Sequence, residues 1–106
     1  MPTTAELKNI ATQIRRDIVR MVHAVNSGHP GGSLGCADYF TALYFKVMKH
    51  DPSFKMDATD EDIFILSNGH ISPVFYSTLA RSGYFDKKEL GQIWATLLFT
   101  LECIYE

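Results

Sequence analysis

Two histidines in this chain sit where backbone geometry, rather than side-chain packing, fixes their place. His29 lies in Ser27-Gly28-His29-Pro30-Gly31-Gly32-Ser33-Leu34-Gly35, nine residues that hold four glycines and a proline. Glycine opens backbone angles closed to other residues, while proline lacks a donor and stops a helix from running through. His70 lies in Leu66-Ser67-Asn68-Gly69-His70, a second glycine turn. An imidazole titrates near neutrality (unperturbed pKa ~6.5), so it can donate, accept or move a proton at physiological pH. Two imidazoles on two stiff turns read as parts of one site.

The other residues with chemical potential are weaker candidates. His23 falls inside a helical pattern and His50 at the end of another, where surface or boundary placement accounts for both. Metal binding by His29 and His70 has no support from an H-x-x-x-H, a cysteine pair or a nearby carboxylate cluster. The glycines match neither G-x-G-x-x-G nor G-x-x-x-x-G-K-[ST], and they follow a helix, the wrong context for either. Ser33 and Ser72 lie outside any G-x-S-x-G, so helix capping is their better role. For His70, merely capping a helix is the competing structural reading, and it stays open at this point.

The elements that must position these turns are legible from periodicity. Leu7, Ile10, Ala11, Ile14, Ile18, Met21, Val22 and Val25 recur at helical spacing, with Arg15, Arg16, Asp17 and Arg20 on the opposite side. Thr3 and Glu6 have the spacing of a capping box, and Asn26-Ser27-Gly28 ends the helix. A second helical pattern runs from Ser33, its expected N-cap, through Leu34, Ala37, Phe40, Leu43, Tyr44, Val47 and Met48 to Asp51-Pro52. Asp62-Ile63-Phe64-Ile65-Leu66-Ser67 is a short apolar run of the kind found in strands buried on both faces. Pro73 suits the first turn of a third helix through Phe75, Tyr76, Leu79 and Ala80, ended by Ser82-Gly83. Asp86 with Glu89 opens a further one. A strand-to-helix turn is a place where ligands bind in open α/β sheets, and a helix N-terminus attracts phosphate oxygens, which raises the interest of His70.

One strand cannot satisfy its own backbone donors and acceptors. The expectation is therefore an α/β fold, mostly helical, with one clear strand (62–67) of an incomplete parallel sheet. The chain reads as the opening fragment of a larger domain. At 106 residues it is at most one domain, and 46% hydrophobic with 21% charged residues is a globular composition. Net charge is −2 with no dense Lys/Arg run, which argues against nucleic acid or a membrane surface as partner. Cys36 and Cys103 are far apart, and no secretory signal opens the sequence, so a reduced, cytoplasmic protein is expected.

With both turns in view, the chain resembles a known family. Ser27 to Gly35 followed by Asp38 is similar to the first histidine motif of transketolases, and Asp62 to His70 is similar to the second, in the right order and at a fitting distance. The similarity runs from about Glu6 to Leu90, and two ordered motifs make it specific. It looks especially like the separate N-terminal subunit of a split transketolase. The resemblance implies the N-terminal part of a thiamine diphosphate-binding domain, with Mg2+ accompanying the cofactor in the complete enzyme. It implies transfer of a two-carbon ketol unit between sugar phosphates, the cofactor carrying the difficult carbon–carbon chemistry. It assigns His29 to proton movement and sugar hydroxyls in the substrate channel. His70 is assigned to the cofactor diphosphate and the donor sugar.

The resemblance also marks what is missing. No Gly-Asp-Gly metal motif and no pyrimidine-binding domain with its activating glutamate occur in this sequence. The expectation is a chain that neither binds the cofactor tightly nor transfers ketol units by itself. Residues 1–90 follow the family, whereas 91–106 form an apolar tail without Lys or Arg that departs from it. That tail is shorter than the roughly 20 residues of a membrane span. It reads either as an amphipathic helix packing on its neighbours or, preferably, as the product of a frameshift or a gene-model boundary near residue 90. The alternative function is a non-enzymatic interaction module, or an orphan fragment, that docks a partner such as the complementary transketolase chain. A homo-oligomer is implied only when the remainder is present.

Overall fold

The computed structural model of the chain describes residues 2–25, 29–53, 60–90 and 92. Three helices pack against one another: α1 (Thr4–Val25), α2 (Pro30–Ala42) and α3 (Ser72–Arg81). A π-helical turn, Leu43–Val47, extends α2, and 3-10 turns lie at Gly69–Ile71 and Lys87–Glu89.

Local chemistry explains the ends. The Thr3 Oγ1 accepts the Glu6 backbone N–H at 3.2 Å and Glu6 Oε2 accepts the Thr3 N–H at 3.3 Å, so the capping box forms as the spacing predicts. Pro30 begins α2, where its missing N–H costs no hydrogen bond, with His29 in extended geometry at the N-cap position. Ser33 therefore lies inside α2 and is not its cap. After α3 the chain turns at Gly83, whose φ of +100° is a conformation that favours glycine.

The core follows the stripe of α1. Ile14 and Ile18 are fully buried with Phe40, Ala37 and Val74. Burying an isoleucine, valine or phenylalanine side chain contributes about 1.5–3 kcal/mol, so these residues are a large part of what holds the helices together. Phe64 enters the same core, with its ring 5.4 Å from Phe40 and 5.2 Å from Phe75, in the tilted and edge-on arrangements that aromatic pairs favour.

The expected α/β architecture is corrected here. Among the described residues there is no strand and no sheet, and the fold is helical. Residues 62–67 take no regular secondary structure. The physical reason is that an apolar run specifies an extended segment locally, whereas a strand needs a second backbone edge. The burial pattern also differs from a strand covered on both faces. Phe64 and Leu66 pack on the core, while Ile63 is 75% and Ile65 85% exposed. Of the apolar tail, Gly91 and residues 93–106 lie outside the described residues, as do Ser27 and Gly28 of the first histidine turn.

Candidate functional site: two histidine turns at adjoining helix starts

The two motifs that looked like halves of one site are brought together. Gly32 of the first turn lies against Ile71 of the second so closely that a Cβ at Gly32 would stand 3.2 Å from Ile71 Cγ2. This is tighter than ordinary van der Waals contact, so a side chain at position 32 would press on Ile71. Ser33, fully buried, accepts a hydrogen bond from the Val74 backbone N–H at 3.4 Å. That N–H belongs to the first turn of α3, where it has no partner within the helix. Residues of the first motif thus hold the second in place.

Each histidine is set by its own backbone. His29 is exposed, and its side chain makes no capping bond to α2. His70 is exposed in the 3-10 turn, where its backbone N–H donates to Asn68 Oδ1 at 3.1 Å. Ser72 Oγ donates to the Gly69 carbonyl at 2.6 Å and closes the same turn. The acceptor for the 3-10 turn is therefore Asn68 and the acceptor at the start of α3 is Ser33, so the capping expected of the His70 imidazole falls to other side chains. A Cβ added at Gly31 or at Gly69 would meet nothing within 4 Å, so both turns border open space. Two exposed imidazoles beside open backbone can hydrogen-bond anionic oxygens or hydroxyls and can relay a proton.

Other candidates resolve differently. Asp38, part of the first motif, pairs with Arg15 at 2.6 Å on the surface. His50 is half-buried: its Nδ1 is 2.8 Å from the Tyr84 hydroxyl and its Nε2 contacts the Tyr44 carbonyl. A carbonyl only accepts, so Nε2 carries a proton and donates it to Tyr44. This ring clamps the loop after α2 and has a structural task. Among the described residues no three His, Cys, Asp or Glu side chains are gathered to hold a metal ion. No described helix is long and apolar enough to cross a membrane.

Periodicity missed Asp17. It was expected on the polar side of α1 but is only 5% exposed. Arg81 donates to it through Nε and Nη2, both at 2.8 Å, and Ser77 Oγ donates at 2.9 Å. The Asp17 hydrogen bonds hold Arg81 more firmly protonated than usual. These contacts bolt the second half of α3 to α1. The only sequence signal was a carboxylate next to the apolar stripe, with no nearby partner.

Comparison with known proteins now decides the family. A family model described as "Transketolase, thiamine diphosphate binding domain" matches residues 6–95. The chain belongs to the transketolase family. Transketolase 2 of Escherichia coli is 44% identical over 79 residues, a match covering 73% of this chain and 11% of the relative. Transketolase 2 of Aliivibrio fischeri and Transketolase 1 of Vibrio vulnificus are each 43% identical over 77 residues. Those matches cover 73% of this chain and 12% and 11% of the respective relatives. The chain therefore spans about a ninth of the length of the transketolases it matches. Both histidine turns lie inside the segment matched by the thiamine diphosphate-binding domain.

Proposed function

We propose that this chain contributes one wall of a transketolase active site, with His29 and His70 as its working side chains. The supporting observation is the direct packing of the two histidine turns, through Gly32 on Ile71 and Ser33 on the Val74 N–H. In this reading His70 hydrogen-bonds the diphosphate of thiamine diphosphate and the donor sugar. His29 faces the sugar hydroxyls and takes up or returns a proton at one of them. The bound cofactor supplies the electron sink that lets a carbon–carbon bond break. Exposure of both imidazoles and the open space beside Gly31 and Gly69 suit such a ligand. The substrates in this reading are sugar phosphates, the location is cytoplasmic, and Mg2+ accompanies the diphosphate in the full-length system.

The test is a chimera. This chain's matched segment replaces the corresponding 79 residues of the Escherichia coli relative, and ketol transfer between sugar phosphates is measured. His29→Ala and His70→Ala should each reduce turnover on the order of a hundredfold, the usual contribution of a positioned acid–base group. Alanine variants with near-normal turnover would refute the assignment.

A second reading is favoured by exposed Ile63 and Ile65: a non-enzymatic module that docks a partner, such as a complementary transketolase chain. Light scattering on the purified chain discriminates, because a stable monomer that transfers no partner signal on mixing argues against docking.

A further inference from the structure

Away from the histidine turns, α1, the C-terminal end of α3 and the Lys87–Glu89 turn enclose a cleft of about 390 Å3. Four cations line it: Arg20, Arg81, Lys87 and Lys88. The one carboxylate in the lining, Asp17, is already engaged at both oxygens by Arg81 and at Oδ2 by Ser77. Arg20 Nη1 stands 3.8 Å from Asp17 Oδ1, a loose contact that leaves the guanidinium largely exposed. Among the described residues neither Lys87 nor Lys88 forms an ion pair. The cleft thus holds more positive charge than its own acid neutralises.

We propose that this cleft is a binding site for a small, soluble, multiply charged anion of the phosphate-ester or diphosphate class. Asp17 fixes the plane of the Arg81 guanidinium through Nε and Nη2, which leaves Nη1 for a further acceptor. A fixed guanidinium fork with two ammonium groups is the donor set that recognises phosphate oxygens, through short charge-assisted hydrogen bonds. Asp86 accepts the Lys88 backbone N–H at 3.0 Å, so the turn that carries both lysines is itself anchored. A volume of this size lies within the range of small-ligand sites and is too confined for a polynucleotide. The overall charge of −2 and the lack of a dense Lys/Arg run argue against a nucleic acid or a membrane surface as the partner.

The site is separate from the histidine turns. They border the start of α3, whereas Arg81 ends it, and ten helical residues span about 15 Å. None of the cleft's lining residues belongs to either turn. The inference stands whether or not His29 and His70 have the functions proposed above.

Calorimetric titration of the whole chain with inorganic pyrophosphate at low ionic strength tests it. The expected result is saturable binding of one pyrophosphate per chain. Lys87→Glu with Lys88→Glu should weaken it about tenfold or more, because two charge-assisted contacts become repulsive. Both lysines are exposed, so the reversal should leave the helical circular dichroism intact. If it does not, Arg20→Gln, also at an exposed position, provides the same comparison with a smaller loss. His29→Ala with His70→Ala should bind as the unaltered chain does. Absence of saturable binding, equal binding by the charge-altered variants, or loss of binding in the histidine variant would each overturn the proposal.

Discussion

Ser33 and Val74 are 41 positions apart, yet the Ser33 hydroxyl accepts the Val74 backbone N–H at 3.4 Å in a fully buried contact. A serine that opens one helix pattern in sequence supplies the missing acceptor at the start of another. The contact ties the two histidine-bearing turns to a common geometry, so local stability and site geometry are coupled there.

Ser33→Ala should therefore cost about 1 kcal/mol, as expected when a helix-start N–H loses its side-chain acceptor. Urea unfolding followed by circular dichroism measures it. No change in midpoint would mean that the Val74 N–H has an equivalent partner.

Gly32→Val should destabilise by about 1–3 kcal/mol, because even the first added carbon would stand 3.2 Å from Ile71 Cγ2 and a branched side chain adds two more. The same substitution at Gly31, where an added Cβ meets nothing within 4 Å, should cost much less. Parallel thermal unfolding of the two variants checks the contrast.

Asp17→Ala should be the most damaging single substitution proposed here, at about 3 kcal/mol, since it strands a partly buried guanidinium and removes the acceptor of Ser77. Pairing it with Arg81→Leu should recover part of that loss. A double-mutant cycle by urea unfolding gives the coupling, and purely additive losses would contradict the bolt between α1 and α3.

Burial pushes the Tyr44 phenol up from 10.0 to about 12, and Tyr84 adds to the shift. The folded chain thus holds this proton more tightly than the unfolded chain. The resulting stabilisation is complete below pH 10 and is lost as pH rises through about 12. Stability measured from pH 8 upward should fall across that window, and Tyr44→Phe should flatten the fall. An unchanged alkaline profile in the variant would assign the loss to other groups.

What was legible in the sequence is what depends on near neighbours. The Thr3–Glu6 box, the Asp86 cap on the Lys88 N–H and the stripe of Ile14, Ile18 and Met21 all follow from residues within a few positions of each other. The two histidine turns were visible because glycine and proline mark backbone directly. Distant pairing was not visible. Asp17 looked like one more surface charge because Arg81 is 64 residues away. Ser33 had the right chemistry for a cap, but it serves α3 rather than α2. The strand expected at 62–67 failed for the same reason, since an apolar run carries no information about a second backbone edge. His50 looked like a boundary residue, and only the fold shows it bonded to Tyr84 and Tyr44.

The alternation along 62–67 has a consequence for register. In most half-buried extended segments a slip of one residue exchanges apolar for polar side chains and is forbidden by that alone. Here a slip would exchange Phe64 and Leu66 for Ile63 and Ile65, one greasy pair for another. Hydrophobicity alone therefore cannot index this segment. Its ends do so instead: Asp62 donates its N–H to the Lys49 carbonyl at 2.7 Å and accepts the Lys49 N–H at 2.8 Å, while Asn68 accepts from His70. Between these two latches the Phe64 ring packs against both Phe40 and Phe75, and the position of His70 along the chain is metered from it.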